Sequence, residues 1–218
     1  MLCVFDVNET LLDLAGLDDL FGSVVGHPDA RREWFDLVIH NALALTAAGA
    51  YRPLGEIVTA CLPPIAERYG RSVTAEDQRE LGLRMRRLPA HPDVAETLRR
   101  LRDAGHRVVT LTNSTGDFAE DQLRNSGLRD LIDAAYSADQ AGRLKPAPEP
   151  YRFVLEAEGV APSDAVLIAA HGWDIAGARH AGLKTAFVAR DGATPLSADA
   201  APTISGPDLT TIATRLIG

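Results

Sequence analysis

The chain alternates between two kinds of apolar pattern. Short continuous runs of β-formers read as buried parallel strands: Leu2 to Phe5, Arg107 to Leu111, Ile132 to Tyr136, Ala165 to Ala169 and Lys184 to Val188. Between them lie segments with apolar residues at helical spacing. Val94 to Ala104 puts Leu98 and Leu101 on one face and is closed by Gly105, and Gly116 to Asn125 is stopped by Gly127. Lys145-Pro146 leads through Tyr151 into a helix ending near Gly159. Further helices run from Asp174 to Ala181 and from Pro207 to Leu216, with a loop over Asp191 to Pro202. Strands and helices in turn predict an α/β fold with a mainly parallel, Rossmann-like sheet and right-handed crossovers.

One stretch interrupts this alternation. From Leu14 to Leu88 the pattern is helical throughout. Ala30 to Ala48 carries Trp34, Leu37, Val38, Ala42 and Leu45, and Leu54 to Tyr69 carries Ile57, Val58, Cys61, Ile65 and Ala66. Thr74, with Asp77 three residues on, caps a third helix reaching Arg87. Leu88-Pro89-Ala90-His91-Pro92 then forbids continuation. Residues 14–88 therefore read as a helical cap inserted after the first strand, with residues 1–13 and 89–218 as the α/β core. Such a cap would overhang the carboxyl edge of the sheet, where open α/β sheets bind ligands.

Composition narrows the function. The 218 residues carry a net charge of −8, a surface that repels phosphate backbones and argues against nucleic acid as a partner. A small anionic substrate would need a local basic pocket against that field. Two cysteines, Cys3 and Cys61, suggest no disulfide framework and fit a reducing, cytoplasmic compartment. The chain opens almost directly on a strand, without the pattern of a signal peptide, and no apolar run is long enough to span a bilayer.

Polar residues at successive strand ends supply the chemistry. They are Asp6 and Thr10, then Thr112 and Asn113, then Lys145, then Asp174. Neighbouring strands lie ~5 Å apart, so these groups can converge. A carboxylate nucleophile, hydroxyl and amide donors, an ammonium and a second carboxylate make a coherent anion-handling site.

Four motifs in order carry a family resemblance: Asp6-Val7-Asn8-Glu9-Thr10, Leu111-Thr112-Asn113-Ser114-Thr115, Lys145-Pro146 with Tyr151, and His171-Gly172-Trp173-Asp174 followed by Gly177-Ala178. Together they resemble the haloacid dehalogenase superfamily, most of all its L-2-haloacid dehalogenase (type II) branch, whose helical cap follows the first motif. The resemblance implies that Asp6 displaces halide from a 2-haloalkanoic acid to form an ester, which water then hydrolyses to the 2-hydroxy acid. Lys145 would hold Asp6 ionised and Asp174 would position Lys145 and water. Thr10, Thr112, Asn113 and Tyr151 would fix the nucleophile and the substrate carboxylate, with Asn8, His171 and Trp173 completing the substrate site. It also implies a homodimer.

Asn8 is the most informative position. Phosphatases of the superfamily carry an acid there for the leaving alkoxide, a device worth roughly 10²–10⁴-fold. Halide needs no proton, and an amide cannot supply one. The carboxylates Mg²⁺ favours are also thin near the fourth motif, where Ala169, Ala170 and His171 stand, so no metal or other cofactor is expected unless the protein is a phosphatase. Two departures from the branch remain. Aligning on Trp34 puts Phe35 where its cap arginine would stand, leaving Arg31, Arg32 or Arg52 as substitutes. Ala169 and His171 replace Ser and Asn; His171 is either a base for the hydrolytic water or only a hydrogen-bond partner of Asp6 or Lys145. The alternatives to dehalogenation are a phosphatase acting on a small phosphorylated metabolite and a catalytically idle protein of this fold. Glu9 is expected to point away from the site if Asn8 points in.

Overall fold

The computed structural model describes residues 1–199 and 201–218. Six parallel strands form one sheet: β1 (Leu2–Phe5), β2 (Arg107–Thr112), β3 (Ala134–Ser137), β4 (Ala165–Ala169), β5 (Lys184–Val188) and β6 (Ile204–Gly206). Their order is β3-β2-β1-β4-β5-β6, with β1 central. Every residue of β1 is buried because both faces of the sheet are covered. Cys3 and Phe5 join one apolar cluster, and Leu2 and Val4 join a second on the opposite face, as the period of two requires. The register sets Phe5 opposite Thr110 of β2 and Ile168 of β4. Asp6, Thr112 and Ala170 thus emerge together at one edge.

Five helices follow β1: α1 (Asp18–Val24), α2 (Ala30–Ala47), α3 (Leu54–Ala60), α4 (Leu62–Arg68) and α5 (Ala75–Met85). The Thr74–Asp77 capping box is formed at the start of α5. Two features differ from the sequence expectation. The helix expected over Leu54 to Tyr69 is broken at Cys61 into α3 and α4, since Pro63 and Pro64 withdraw two N–H donors and crowd the preceding carbonyls. The Asp18–Val24 helix was not anticipated from its short apolar pattern. Trp34 Nε1 donates to the Val58 carbonyl at 3.1 Å, tying α2 to α3. Trp34 and Phe21 pack in the same continuous apolar cluster as Phe5, Val7, Leu11 and Leu12. The helices and the sheet therefore share a core.

The remaining helices are α6 (Val94–Asp103), α7 (Gly116–Asn125), α8 (Pro148–Glu158), α9 (Gly172–His180) and α10 (Leu209–Ile217). β3 starts two residues later than expected, and β6 was missed, being three residues long with one apolar side chain, Ile204. No described helix is long and apolar enough to cross a membrane.

Candidate active site

The site grows from the end of β1. Asp6 N–H still donates to the Ile168 carbonyl at 3.0 Å, so the carboxylate leaves the sheet in a fixed direction. A tight loop follows, closed by the Leu11 and Leu12 N–H groups donating to the Val7 carbonyl. Thr10 Oγ1 donates to Asp6 Oδ2 at 2.7 Å and accepts from Ala170 N–H at 3.0 Å, joining the ends of β1 and β4.

Lys145 is fully buried, and its Nζ makes three hydrogen bonds: to Asp6 Oδ1 at 2.9 Å, to Asp174 Oδ2 at 2.5 Å and to the Leu111 carbonyl at 2.8 Å. Those match its three N–H donors. Asn113 fixes the Lys145 backbone: its Oδ1 accepts from Lys145 N–H at 2.7 Å, and its Nδ2 donates to the Lys145 carbonyl at 3.3 Å. Tyr151 donates to Asp174 Oδ1 at 2.6 Å. Gly177 makes this possible, because a Cβ there would lie 2.6 Å from Tyr151 Oη and from Pro146 Cβ.

Burial alone would raise the Asp6 carboxyl, but the Lys145 ammonium and the neighbouring His171 outweigh it and hold Asp6 well below the usual carboxylate range. Burial likewise opposes charge on Lys145, yet Asp174 and Asp6 raise its pKa. Asp174, deeper and facing the charge of Asp6, is raised mainly by burial. Asp6 is thus the more readily ionised carboxylate of the pair.

His171 extends this arrangement outward. Its Nδ1 lies 3.3 Å from Asp6 Oδ2 and its Nε2 3.0 Å from Glu9 Oε2. The ring stacks on Trp173, with centroids 5.3 Å apart, and is tilted against Phe35 of α2. Burial would lower its pKa, but the Asp6 and Glu9 hydrogen bonds and charges raise it to about 9. Glu9 continues the line to α2: its Oε1 is 3.6 Å from Arg31 Nη1, and Arg31 Nε donates to Asp18 at 2.6 Å. Carboxylates and cations alternate along the string Asp174, Lys145, Asp6, His171, Glu9, Arg31 and Asp18.

The reading that turns Asn8 inward, and Glu9 away with it, is reversed in the structure. Side chains alternate along a strand, but Glu9 sits at φ 59°, in the left-handed region, and turns its side chain toward His171. No local signal announces this, since the position carries neither Gly nor Asn. Asn8 turns the other way: its Oδ1 accepts from Gln122 Nε2 at 3.0 Å, and its Nδ2 lies 3.5 Å from Ser114 Oγ. Gln122 also donates to the Met85 carbonyl of α5.

A cavity of about 250 Å³ opens in front of His171, lined among others by Glu9, Arg31, Arg32, Phe35 and Arg190. Of the residues assigned to substrate by sequence, His171 lines it. Thr10, Asn8, Thr112, Asn113 and Tyr151 spend their polar groups inside the protein. Thr112 Oγ1, for example, accepts from Ser114 N–H. Their placement suits holding the charged groups rather than touching a ligand in the cavity. Trp173 backs His171 and lies 5.7 Å from Lys145 Nζ. Arg31 is buried and committed to Glu9 and Asp18. Arg32 is exposed, lines the cavity and has no ion pair among the described residues. Arg52 lies away from this cavity, paired with Glu56. No group of three or more His, Cys, Asp or Glu side chains among the described residues is placed to hold a metal ion.

Comparison with known proteins places the chain in a family. Residues 1–182 match the family model for haloacid dehalogenase-like hydrolases. The chain is 29% identical to (S)-2-haloacid dehalogenase 4A of Burkholderia cepacia over 88% of its own length and 84% of that protein's. It is 30% identical to phosphoserine phosphatase of Thermus thermophilus over 93% of its length and 88% of the relative's. The fold superposes on the L-2-haloacid dehalogenase of Xanthobacter autotrophicus with chloropropionic acid covalently bound: TM-score 0.92, 22% identity, covering 100% of this chain and 99% of that one. With its six-stranded parallel sheet and helices on both faces, the chain belongs to the haloacid dehalogenase-like hydrolases.

Proposed function

We propose that the protein converts a 2-haloalkanoic acid to the 2-hydroxy acid through an ester on Asp6. The observation that carries this reading is a buried carboxylate held ionised by Lys145, next to a cavity, with the amide of Asn8 tied to Gln122 where the phosphatases carry their acid. Oδ1 of Asp6 is bound by Lys145, while Oδ2 faces His171 and the cavity beyond it. Oδ2 attacks the carbon as the carbon–halogen bond breaks, and its electrons leave with the halide. Water then attacks the ester carbonyl, and the negative charge developing on Oδ1 meets the Lys145 ammonium at hydrogen-bond distance. Arg32, the unpaired cation at the cavity, binds the substrate carboxylate. The relatives named haloacid dehalogenases, one of them with a covalently bound chloropropionic acid, support this route.

The phosphoserine phosphatase relative motivates a second reading, phosphoester hydrolysis with Mg²⁺. The donor set does not suit it. Both oxygens of Asp6 and both of Asp174 are already taken by Lys145, Thr10, His171 and Tyr151, and an ammonium occupies the place between the two carboxylates. Asn8 is tied to Gln122. We therefore assign the reaction to protein side chains without a metal. The small anionic substrate, the two unpaired buried cysteines and the family likeness fit a cytoplasmic enzyme working as a homodimer.

A single turnover in H₂¹⁸O, followed by mass spectrometry of the Asp6 peptide, tests the ester route. Label enters Asp6 if water attacks its carbonyl carbon. Halide release that leaves Asp6 unlabelled would sink the proposal, and Mg²⁺-dependent release of phosphate from an aryl phosphate without halide activity would favour the second reading.

A further inference from the structure

We propose that Arg190 and His91 are positioning residues for the nucleophile: they clamp the loop after Asp6 by its carbonyls, so that the Thr10 hydroxyl stays on the attacking oxygen. This assignment rests on the ester route above and concerns its first half.

The loop does not complete its own hydrogen bonds. The N–H groups of Glu9, Leu11 and Leu12 are met within it, by the carbonyls of Leu12 and Val7. Three consecutive carbonyls, those of Glu9, Thr10 and Leu11, are met from outside. His91 Nε2 donates to the Glu9 carbonyl at 3.2 Å, Arg190 Nη2 to the Thr10 carbonyl at 3.1 Å, and His91 N–H to the Leu11 carbonyl at 2.9 Å. A carbonyl only accepts, so His91 Nε2 carries the proton. Burial and the Arg190 charge lower the His91 pKa, which keeps the ring neutral.

Arg190 is fixed in turn. Its Nη2 and Nη1 donate to Asp93 Oδ1 and Oδ2 at 2.8 and 2.9 Å, a two-pronged pair. Asp93 Oδ2 also accepts from Leu209 N–H at the start of α10, at 2.8 Å. Burial would raise the Asp93 carboxyl, but Arg190 and that N–H outweigh it and lower its pKa. The clamp gathers four pieces of chain: the β1 loop, the Pro-rich return from the cap, the turn after β5 and the start of α10. The two connections to the cap pair here as well, Asp13 N–H donating to the Pro89 carbonyl at 2.8 Å. His91, Asp93 and Arg190 lie outside the four sequence motifs.

Thr10 is the residue this arrangement controls. Its carbonyl is held by Arg190, and its hydroxyl donates to Asp6 Oδ2, the oxygen that attacks carbon, at 2.7 Å. The carbonyls on either side of it are held by His91. Once freed, Thr10 can turn its hydroxyl off Oδ2, and a displacement of about 1 Å near the reacting atoms slows a reaction by up to ~10²-fold. Arg190 and His91 both line the substrate cavity, yet neither offers it a free charge: Asp93 compensates the first, and the second is neutral. They act through Thr10 and not on the substrate carboxylate.

Rapid-quench kinetics of the chloride burst from 2-chloropropionate test this, in a cycle of Arg190→Met, Thr10→Val and the double variant. We expect Arg190→Met to slow the burst roughly 10–100-fold with KM little changed. In the Thr10→Val background the same substitution should slow it hardly further, because the group it positions is gone. Effects that multiply would show Arg190 acting independently of Thr10, and a raised KM with an unchanged burst would make it a substrate cation; either ends the proposal. Hydrogen exchange read by NMR does not depend on activity. Ala170 N–H donates to Thr10 Oγ1, so its exchange should quicken in Arg190→Met, and an unchanged rate would overturn the proposal as well. Should Arg190→Met not fold, His91→Phe, which removes the side-chain bond to the Glu9 carbonyl, goes through the same cycle and must show the same coupling to Thr10. Wild-type enzyme releasing no chloride from any haloalkanoate would instead overturn the ester route, and Ala170 exchange would still decide on the clamp.

Discussion

Lys145 is the residue on which the two carboxylates depend. A lysine with no solvent exposure is tolerated here because each N–H meets an oxygen. Lys145→Met removes the only cation between Asp6 and Asp174 and leaves two buried negative charges facing each other. Loss of one partner from such a pair costs roughly 3–5 kcal/mol, so urea unfolding should show a loss of that size, and turnover should vanish. A variant as stable as wild type would mean that the two carboxylates do not share their charge through Lys145. Asn8 permits a second test. Asn8→Asp restores the acid of the phosphatases, but its side chain is drawn toward Gln122 Nε2 rather than the cavity. We expect no Mg²⁺-dependent phosphatase activity above background with an aryl phosphate, and appreciable activity would show that Gln122 does not hold this side chain. The sequence made Asp6, Lys145 and Asp174 legible because each follows a clear strand or opens a clear helix. Glu9 and Arg31 were not: one depends on a single positive φ, and the other on how α2 rotates above the sheet.

At the scale of elements, α9 and α2 decide how tightly the site is assembled. Gly177 lets α9 approach Pro146 and Tyr151. In Gly177→Ala the added methyl meets Tyr151 Oη and the Pro146 backbone, so Tyr151 must leave Asp174 or α9 must shift. Such overpacking costs about 1–3 kcal/mol. We expect kcat to fall more than KM rises, since the ligand cavity lies on the other side of His171; steady-state kinetics showing only a higher KM would contradict this. On α2, adjacent arginines have different work. Arg31 is buried against Glu9 and Asp18, whereas Arg32 reaches the cavity unpaired. Arg32→Ala should raise KM for 2-chloropropionate roughly 10–100-fold with kcat little changed, the loss of one charge-assisted hydrogen bond of about 1.5–3 kcal/mol. An unchanged KM would remove Arg32 from the substrate site. The helical pattern made α2 and α5 readable, but two prolines divided the expected helix at Cys61, and a three-residue edge strand carried too little apolar signal to be seen.

Across the whole molecule, the alternating string of charges links the sheet edge to α1 and α2, while one apolar cluster runs beneath both. The net charge of −8 makes the local cations at the cavity matter more for an anionic ligand. It also gives the fold a definite pH dependence. Free histidine titrates near pH ~6.5 in an unfolded chain, whereas His171 in the folded protein is raised to about 9. A raised folded pKa means the native state holds the proton more tightly. The stability this contributes is fully present below pH ~6.5 and is lost as pH rises through about 9. Asp6 has the opposite sign: its lowered pKa stabilises above the ordinary carboxylate range and is lost only in strong acid. Between those limits both contributions hold. Thermal unfolding of wild type and His171→Gln at pH 6 and pH 10 isolates the histidine, because lysine and tyrosine ionisations elsewhere are common to both proteins and cancel. The difference in Tm should favour wild type at pH 6 and shrink at pH 10. A difference of equal size at both values would mean that the folded protein holds the His171 proton no more tightly than the unfolded chain does, so that Asp6 and Glu9 share no cation and the string is broken at its centre.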